Sequence, residues 1–354
     1  MITISLCMIV KNEEDVLERC LNSCKAIADE IIIVDTGSTD KTKEIAFKYT
    51  DKVYNFQWVD DFSKARNFAF SKATKDYQMW LDADDIITKE NIDKILELKQ
   101  NLNPNIDIVT FKYYTHFDEL GNPILTSTRG RLFKREKRYL WNDPVHEYIY
   151  LKGNIFYADD IFIYHKKEHN FTDRNLKIYQ KQKKEGKTLS PRGTYYFARE
   201  LMDNKRYEEA VYYFEDFLTS NKGWIEDNLC TCFNLYLCYS NLKNPEKAFF
   251  SLVKSFKYAA PRAEICCCLG YYFKEKKEYI TAIDWFRLAT NLNKPNSIGF
   301  ILNDYWDFIP NVELSICYYY LGNLEKAIYF NELAKKIKPN SPIIIQNSNF
   351  FKSM

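Results

Sequence analysis

Apolar runs and helical stripes alternate over the first hundred residues. Residues 2–10 form a continuous apolar run, and the stretch after them places Val16, Leu17, Cys20, Leu21 and Cys24 on one helical face. Residues 30–34, 52–56 and 77–81 read as further strands, with helical patterns at 41–49, 62–73 and 91–98. Such alternation builds a mostly parallel sheet with helices on both faces. Between 106 and 165 the pattern becomes β: segments 106–117 and 124–133 flank a turn-rich 118–123, and 156–165 is a further strand. The fold class expected is α/β with a mixed, Rossmann-like sheet over residues 1–170, or as far as 190.

Beyond residue 190 the stripes are all helical. Four segments align on Ala210, Ala248, Ala282 and Ala327, spaced 38, 34 and 45 residues apart. That spacing lies around the 34-residue period of tetratricopeptide repeats. The third copy carries Gly270, Phe286, Ala289 and Pro295 at repeat-like positions, and the fourth keeps Tyr318, Ala334 and Pro339. Such helix pairs bury a core only by stacking. An all-α, tetratricopeptide-like repeat domain is expected over 191–342, with a C-terminal tail at 343–354. A solenoid of this kind presents a surface for a peptide or protein acceptor, or for a second copy of the chain as a homodimer.

Composition narrows the classes. Fifty Lys and Arg against 48 Asp and Glu leave a formal charge of +2, which provides no general field for nucleic acid or anionic lipid. Ten cysteines, three of them adjacent at 266–268, include no Cys-x-x-Cys pair and lie mostly in apolar patterns. They read as reduced, buried thiols of a cytoplasmic protein. The apolar N-terminal run lacks a basic flank and a cleavage site, so it reads as a strand. No stretch has the roughly 18–20 apolar residues of a membrane span.

The chemistry sits where strands end. Lys11-Asn-Glu-Glu14, Asp35-Thr-Gly-Ser-Thr-Asp40 and Asp82-Ala-Asp-Asp85 each follow a predicted strand. In open α/β sheets ligands lie beyond those carboxyl ends. Three acidic clusters converging there repel one another unless a cation joins them. Asp82 and Asp84, two apart, suit Mg2+ or Mn2+, which bind hard oxygens and share substrate phosphates. Asp35 at a strand tip can accept hydrogen bonds from a base or ribose. No Walker loop and no Gly-x-Gly-x-x-Gly is present, so the triphosphatase and dinucleotide readings lack their phosphate-binding glycines.

On Met8-Ile-Val-Lys-Asn-Glu-Glu14, Ile33-Val-Asp-Thr-Gly-Ser-Thr-Asp40 and Trp80-Leu-Asp-Ala-Asp-Asp85 the chain resembles glycosyltransferase family two, enzymes of the GT-A fold. Asp61-Phe-Ser-Lys-Ala-Arg-Asn67, Arg131-Leu-Phe-Lys134 and Trp141-Asn-Asp-Pro-Val-His-Glu147 resemble a bacterial subgroup. That subgroup includes lipopolysaccharide-core enzymes and sublancin-type peptide S-glycosyltransferases. The resemblance implies an inverting transfer from a nucleotide-sugar, a UDP-sugar by family expectation. It assigns Glu13 and Asp35 to the nucleotide, Arg66 and Asn67 to the donor sugar or phosphates, and Asp82 and Asp84 to the diphosphate and its metal. His165 is a candidate third metal ligand. The general base is expected at Glu147, with His146 and Asp143 behind it.

Two acceptors compete: a peptide or protein side chain (Cys, Ser or Thr, as in a bacteriocin precursor), or a cell-surface glycan or lipopolysaccharide-type acceptor. A repeat scaffold carrying an inactive transferase domain is the non-enzymatic alternative. Retention of both Asp82 and Asp84 argues against it.

Overall fold

The computed structural model describes residues 1–166, 173–295 and 297–354. The chain divides into two compact units, one of Met1–His116 with Thr126–Gly193, the other of Phe117–Leu125 with Thr194–Met354. The boundary expected at 170 lies outside the described residues, and helix α5 (Arg174–Lys184) follows it within the first unit.

In the first unit, β1 (Ile4–Val10), α1 (Leu17–Cys24), β2 (Glu30–Asp35), α2 (Thr42–Phe47), β3 (Val53–Asn55), α3 (Phe62–Ser71) and β4 (Tyr77–Trp80) alternate as the pattern predicts. They are followed by β5 (Asp85–Ile86), α4 (Lys89–Asn101), β6 (Ile108–Phe117), β7 (Pro123–Lys134), β8 (Trp141–Asn142), β9 (Tyr148–Ile149) and β10 (Ile155–His165). The main sheet runs β3-β2-β1-β4-β7-β6-β10-β5. Its first four strands are parallel, β7 joins β4 antiparallel, and β10 runs parallel to β6 but antiparallel to β5. The sheet is therefore mixed.

Strand β1 shows why a continuous apolar run is required. Ile4, Leu6, Met8 and Val10 enter one core layer with α1, while Cys7 enters the other with Ile32 and Val34. All five apolar positions expected on the α1 face are fully buried. β5 was not foreseen, because two residues inside an acidic loop carry no periodic signal.

In the second unit the helices are α6 (Pro191–Asp203), α7 (Tyr207–Ser220), α8 (Ile225–Asn241), α9 (Pro245–Lys254), α10 (Ala263–Glu275), α11 (Tyr279–Asn291), α12 (Phe308–Tyr320), α13 (Leu324–Ile337) and α14 (Pro342–Lys352). Each of the four aligned segments opens the second helix of a pair, and Ala210, Ala248, Ala282 and Ala327 are all buried. Asn244 and Asn323 cap α9 and α13 by accepting from Lys247 N (3.1 Å) and Lys326 N (3.0 Å). Gly270 is small because the Phe286 ring lies against it: a Cβ there would sit 2.6 Å from a ring carbon.

The residues set apart as a tail are helical. Pro342 occupies the first turn of α14, and Ile344 is buried with Phe308, Val312 and Ala334. All ten cysteines are free, nine of them buried.

Candidate active site

Because β1, β2 and β4 are parallel neighbours, their carboxyl ends open on one edge of the first unit. The loops after β1 and β2 are stitched together. Asn12 N donates to Ser38 Oγ (2.9 Å), Thr39 N donates to Asn12 Oδ1 (2.8 Å), and Glu13 N donates to Thr42 Oγ1 (2.7 Å). Gly37 supplies the turn at φ 108°, a region that disfavours side chains. Asp35 is buried and accepts from the amides of Gly37 and Ser38, both at 3.1 Å, with Lys43 Nζ at 3.3 Å. Much of its carboxylate is thus spent on shaping its own loop. Glu13 is half-buried in the facing loop.

Arg66 is brought to the end of β4 by α3, whose N-cap Asp61 accepts from Lys64 N (3.1 Å). Its Nη2 donates to Asp82 Oδ1 (2.7 Å) and its Nε to Glu147 Oε1 (2.6 Å). The guanidinium carbon lies 4.9 Å from the ring centroids of both Trp80 and Trp141, which meet edge to face at 5.1 Å. Burial works against the Arg66 charge, but Asp82 and Glu147 outweigh it and hold the group more firmly protonated than usual. For Asp82, burial raises the carboxyl while Arg66 and then His165 pull it below the ordinary range.

Asn67, expected at the donor, is engaged with the wall of the site. Its Nδ2 donates to Trp141 O (3.0 Å) and its Oδ1 accepts from Trp141 N (2.9 Å), clamping β8 to α3.

Asp85 is fully buried and has four partners. Oδ1 accepts from Tyr113 Oη (2.8 Å) and lies 3.2 Å from His165 Nδ1. Oδ2 accepts from Asp82 N (3.1 Å) and Arg131 Nη1 (3.2 Å). Arg131 is fully buried too, stacked 3.7 Å from the Trp80 centroid and 4.4 Å from that of Tyr113. Trp80 therefore carries an arginine that binds Asp82 and another that binds Asp85.

His165 ends β10, which pairs with β5 through His165 opposite Asp85. Its Nδ1 is also 3.2 Å from Asp84 Oδ1. Burial lowers its affinity for a proton, but Asp84 and Asp85 overcome this and push the imidazole up to about 10. One ligand atom each from Asp82, Asp85 and His165 lies within 4.8 Å of the others. Two carboxylates and an imidazole on rigid strand ends fit a divalent cation, with Mn2+ better matched to nitrogen than Mg2+. Asp84, expected as a partner of Asp82, reaches the same histidine, and it is more exposed than Asp85.

The segment 143–147 closes the site. Asp143 and His146 adopt φ 64° and 53°. Asp143 Oδ2 accepts from Ser190 Oγ (2.7 Å), and Pro144 O accepts from Phe62 N (2.8 Å). These anchors bring Glu147 to Arg66, whereas Asp143 faces Ser190.

Sequence reasoning missed Tyr113, used Arg131 and Trp141 only as motif markers, and quoted Asp85 in the acidic cluster without giving it a role. The signals available were the adjacency of Asp85 to the Asp-x-Asp and an arginine inside an apolar strand.

The model of Glycosyl transferase family 2 matches residues 5–188, just over half of the chain. The SPbeta prophage-derived glycosyltransferase SunS of Bacillus subtilis is 30% identical over 233 residues, covering 62% of this chain and 54% of that protein. A TPR repeat-containing protein of Synechococcus elongatus is 37% identical over 151 residues, 42% of this chain and 36% of that protein. The chain thus spans about half or less of the length of these relatives. Among solved structures, Pseudomonas aeruginosa PilF aligns over 50% of this chain and 73% of its own, with TM-score 0.39 and 15% identity. Glucosyl-3-phosphoglycerate synthase from Mycobacterium tuberculosis, in complex with Mg2+ and UDP, aligns over 32% and 44% with TM-score 0.28 and 22% identity.

Proposed function

The chain belongs to glycosyl transferase family 2, and from that premise we propose an inverting, metal-dependent transfer of a sugar from a UDP-sugar to a polypeptide side chain. The observation that carries this reading is the strand-end set of Asp82, Asp84, Asp85 and His165 beside the buried Arg66.

Asp82, Asp85 and His165 would each offer one ligand atom to the cation, with Asp84, 3.2 Å from the same histidine nitrogen, as a further carboxylate beside them. A bound divalent ion supplies charge stabilisation to the diphosphate leaving group. Arg66 adds a fixed positive charge at the same end of β4, held in place by two carboxylates and two indoles. Glu13 and Asp35 would line the nucleotide end, where the loops that carry them are stitched together. Asn67 supports the indole wall. Glu147 takes the acceptor proton through Oε2, since Oε1 is engaged by Arg66, and His146 is the alternative base from the same segment. A cysteine acceptor would ease that demand, a thiol being far more acidic than a sugar hydroxyl.

No helix among the described residues is long and apolar enough to cross a membrane. The repeat unit would present the acceptor. The test is UDP release from a panel of UDP-sugars with and without Mn2+, in wild type and Asp84→Ala. Metal-dependent turnover of one donor, lost in the variant, is expected. Absence of turnover, together with no calorimetric binding of UDP plus Mn2+, overturns the reading.

A further inference from the structure

A cavity of about 160 Å³ opens in the second unit among α6, α8 and α10, the first helices of three successive pairs. The segment around Phe300 and the hairpin residue Leu125 also line it. Gly299 packs so closely on α8 that a Cβ there would lie 2.7 Å from Glu226 Oε2. This stretch of the repeat face therefore offers a chamber of side-chain size rather than a long open groove.

Its polar groups are unequally spent. Arg262 Nη2 pairs with Glu226 Oε1 at 2.7 Å, so those charges neutralise each other. The Arg199 guanidinium carbon lies 5.9, 5.5 and 5.7 Å from the rings of Tyr195, Tyr196 and Phe300. Arg262 draws on the Glu264 carboxylate and Glu226 repels it, and Arg199 lines the same cavity. Glu264, at the start of α10, has its Oε2 sealed from solvent with no hydrogen-bond partner. A buried carboxylate oxygen left unpaired is costly, and it is relieved by a ligand that brings a donor. Phe233, Leu229 and Ile265 supply apolar wall beside it. A carboxylate next to aromatic and aliphatic surface is the chemistry that recognises an ammonium on a short hydrocarbon stem.

We propose that this cavity binds a primary alkylammonium group, its nitrogen on Glu264 and its stem against Phe233, Leu229 and Ile265. The group belongs either to a free amine or to a lysine side chain of a polypeptide. About 160 Å³ accommodates a chain of roughly five or six heavy atoms. Burial pushes the Glu264 carboxyl up to about 6, so the ionised form that pairs with an ammonium forms above that pH.

Calorimetry on the full chain at pH 7.5 with n-pentylammonium chloride and n-pentanol tests this. The amine is expected to bind at least tenfold more tightly than the alcohol. That preference should disappear in Glu264→Gln, and circular dichroism and the melting temperature report whether the variant folds. In wild type the amine's affinity should fall about tenfold between pH 7.5 and pH 5, which needs no variant. Equal affinity for amine and alcohol, no heat from either, or an unchanged preference in a folded Glu264→Gln overturns the proposal. A lysine-containing peptide that binds more tightly than pentylammonium identifies a polypeptide source, and equal or weaker binding identifies a free amine. None of these readings depends on sugar transfer, so failure here leaves the transferase proposal standing.

Discussion

Arg66 Nη2 and Asp82 Oδ1 lie 2.7 Å apart, and the same guanidinium reaches Glu147, 81 positions further along the chain, at 2.6 Å. One buried arginine thus joins the acidic loop after β4 to the segment that carries the candidate base. Removing it takes away the counter-charge that the two carboxylates share. Arg66→Ala should lower kcat/KM for UDP-sugar turnover at least 10²-fold or so. It should also cost about 2–3 kcal/mol in urea unfolding. Arg66→Lys should fall between, because an ammonium keeps the charge but cannot bridge both carboxylates or stack on both indoles.

Asp85 is the anchor beneath the site. In Asp85→Asn the Arg131 guanidinium would remain buried without its counter-ion, and the Tyr113 hydroxyl would lose a charged acceptor. The expected cost is about 3 kcal/mol. Tyr113→Phe removes one bond and should cost about 1–2 kcal/mol. Urea midpoints for both variants check the ranking, and a larger loss in Tyr113→Phe would contradict the role given to Arg131.

Glu30 makes part of the first unit's stability pH-dependent. Burial raises its carboxyl, but bonds from Lys52, Ser5 and Thr74 outweigh this and hold it at about 2, below the ordinary 4.5. A folded value below the unfolded one contributes stability above about pH 4.5, and the contribution is lost as pH falls toward 2. The magnitude is on the order of 2 kcal/mol. Glu30→Gln should be less stable than wild type at pH 6, and the gap should narrow below about pH 4.5 and close only as pH falls to about 2 or lower, as read from urea midpoints. Parallel curves for the two proteins across that window would sink the assignment.

Gly270 and Phe286 set the spacing of α10 and α11. A Cβ at 270 meets three ring carbons at 2.6, 2.7 and 2.9 Å, so Gly270→Ala forces the ring or the helix to move. The clash should exceed the gain in helix propensity and leave a net loss of about 1–2 kcal/mol. Hydrogen exchange should show faster opening in peptides from α10 and α11 and no change in β1 or β4. Phe286→Leu in the same chain should recover part of the loss.

The elements of the first unit were legible because each is enforced locally. A strand buried on both faces must be apolar throughout, as in β1, and a helix on a sheet must show a stripe, as in α1. The repeats were legible for a related reason: a small residue recurs where a helix is buried closely, and Ala210, Ala248, Ala282 and Ala327 are buried in the second helix of every pair. The three acidic motifs were legible because strand ends are where open sheets place ligands.

The side-chain partnerships could not be read this way. Asn67 stands next to Arg66, yet one clamps β8 and the other bridges two carboxylates, since successive helical residues point about 100° apart. Asp85 looks like the third of three similar aspartates, and it became the anchor only because β5 pairs with His165 and faces Arg131. The hairpin tip Phe117–Leu125 groups with the second unit although its strands belong to the sheet, and the supposed tail folds as α14. The sequence alone therefore determined most of the strands and helices, the paired helices of the second half and which motifs end the strands, because burial periodicity acts within a few residues. Only the tertiary structure decided which charge meets which, because those pairings span 16 to 81 positions and depend on strand register and helix facing, which no local pattern encodes.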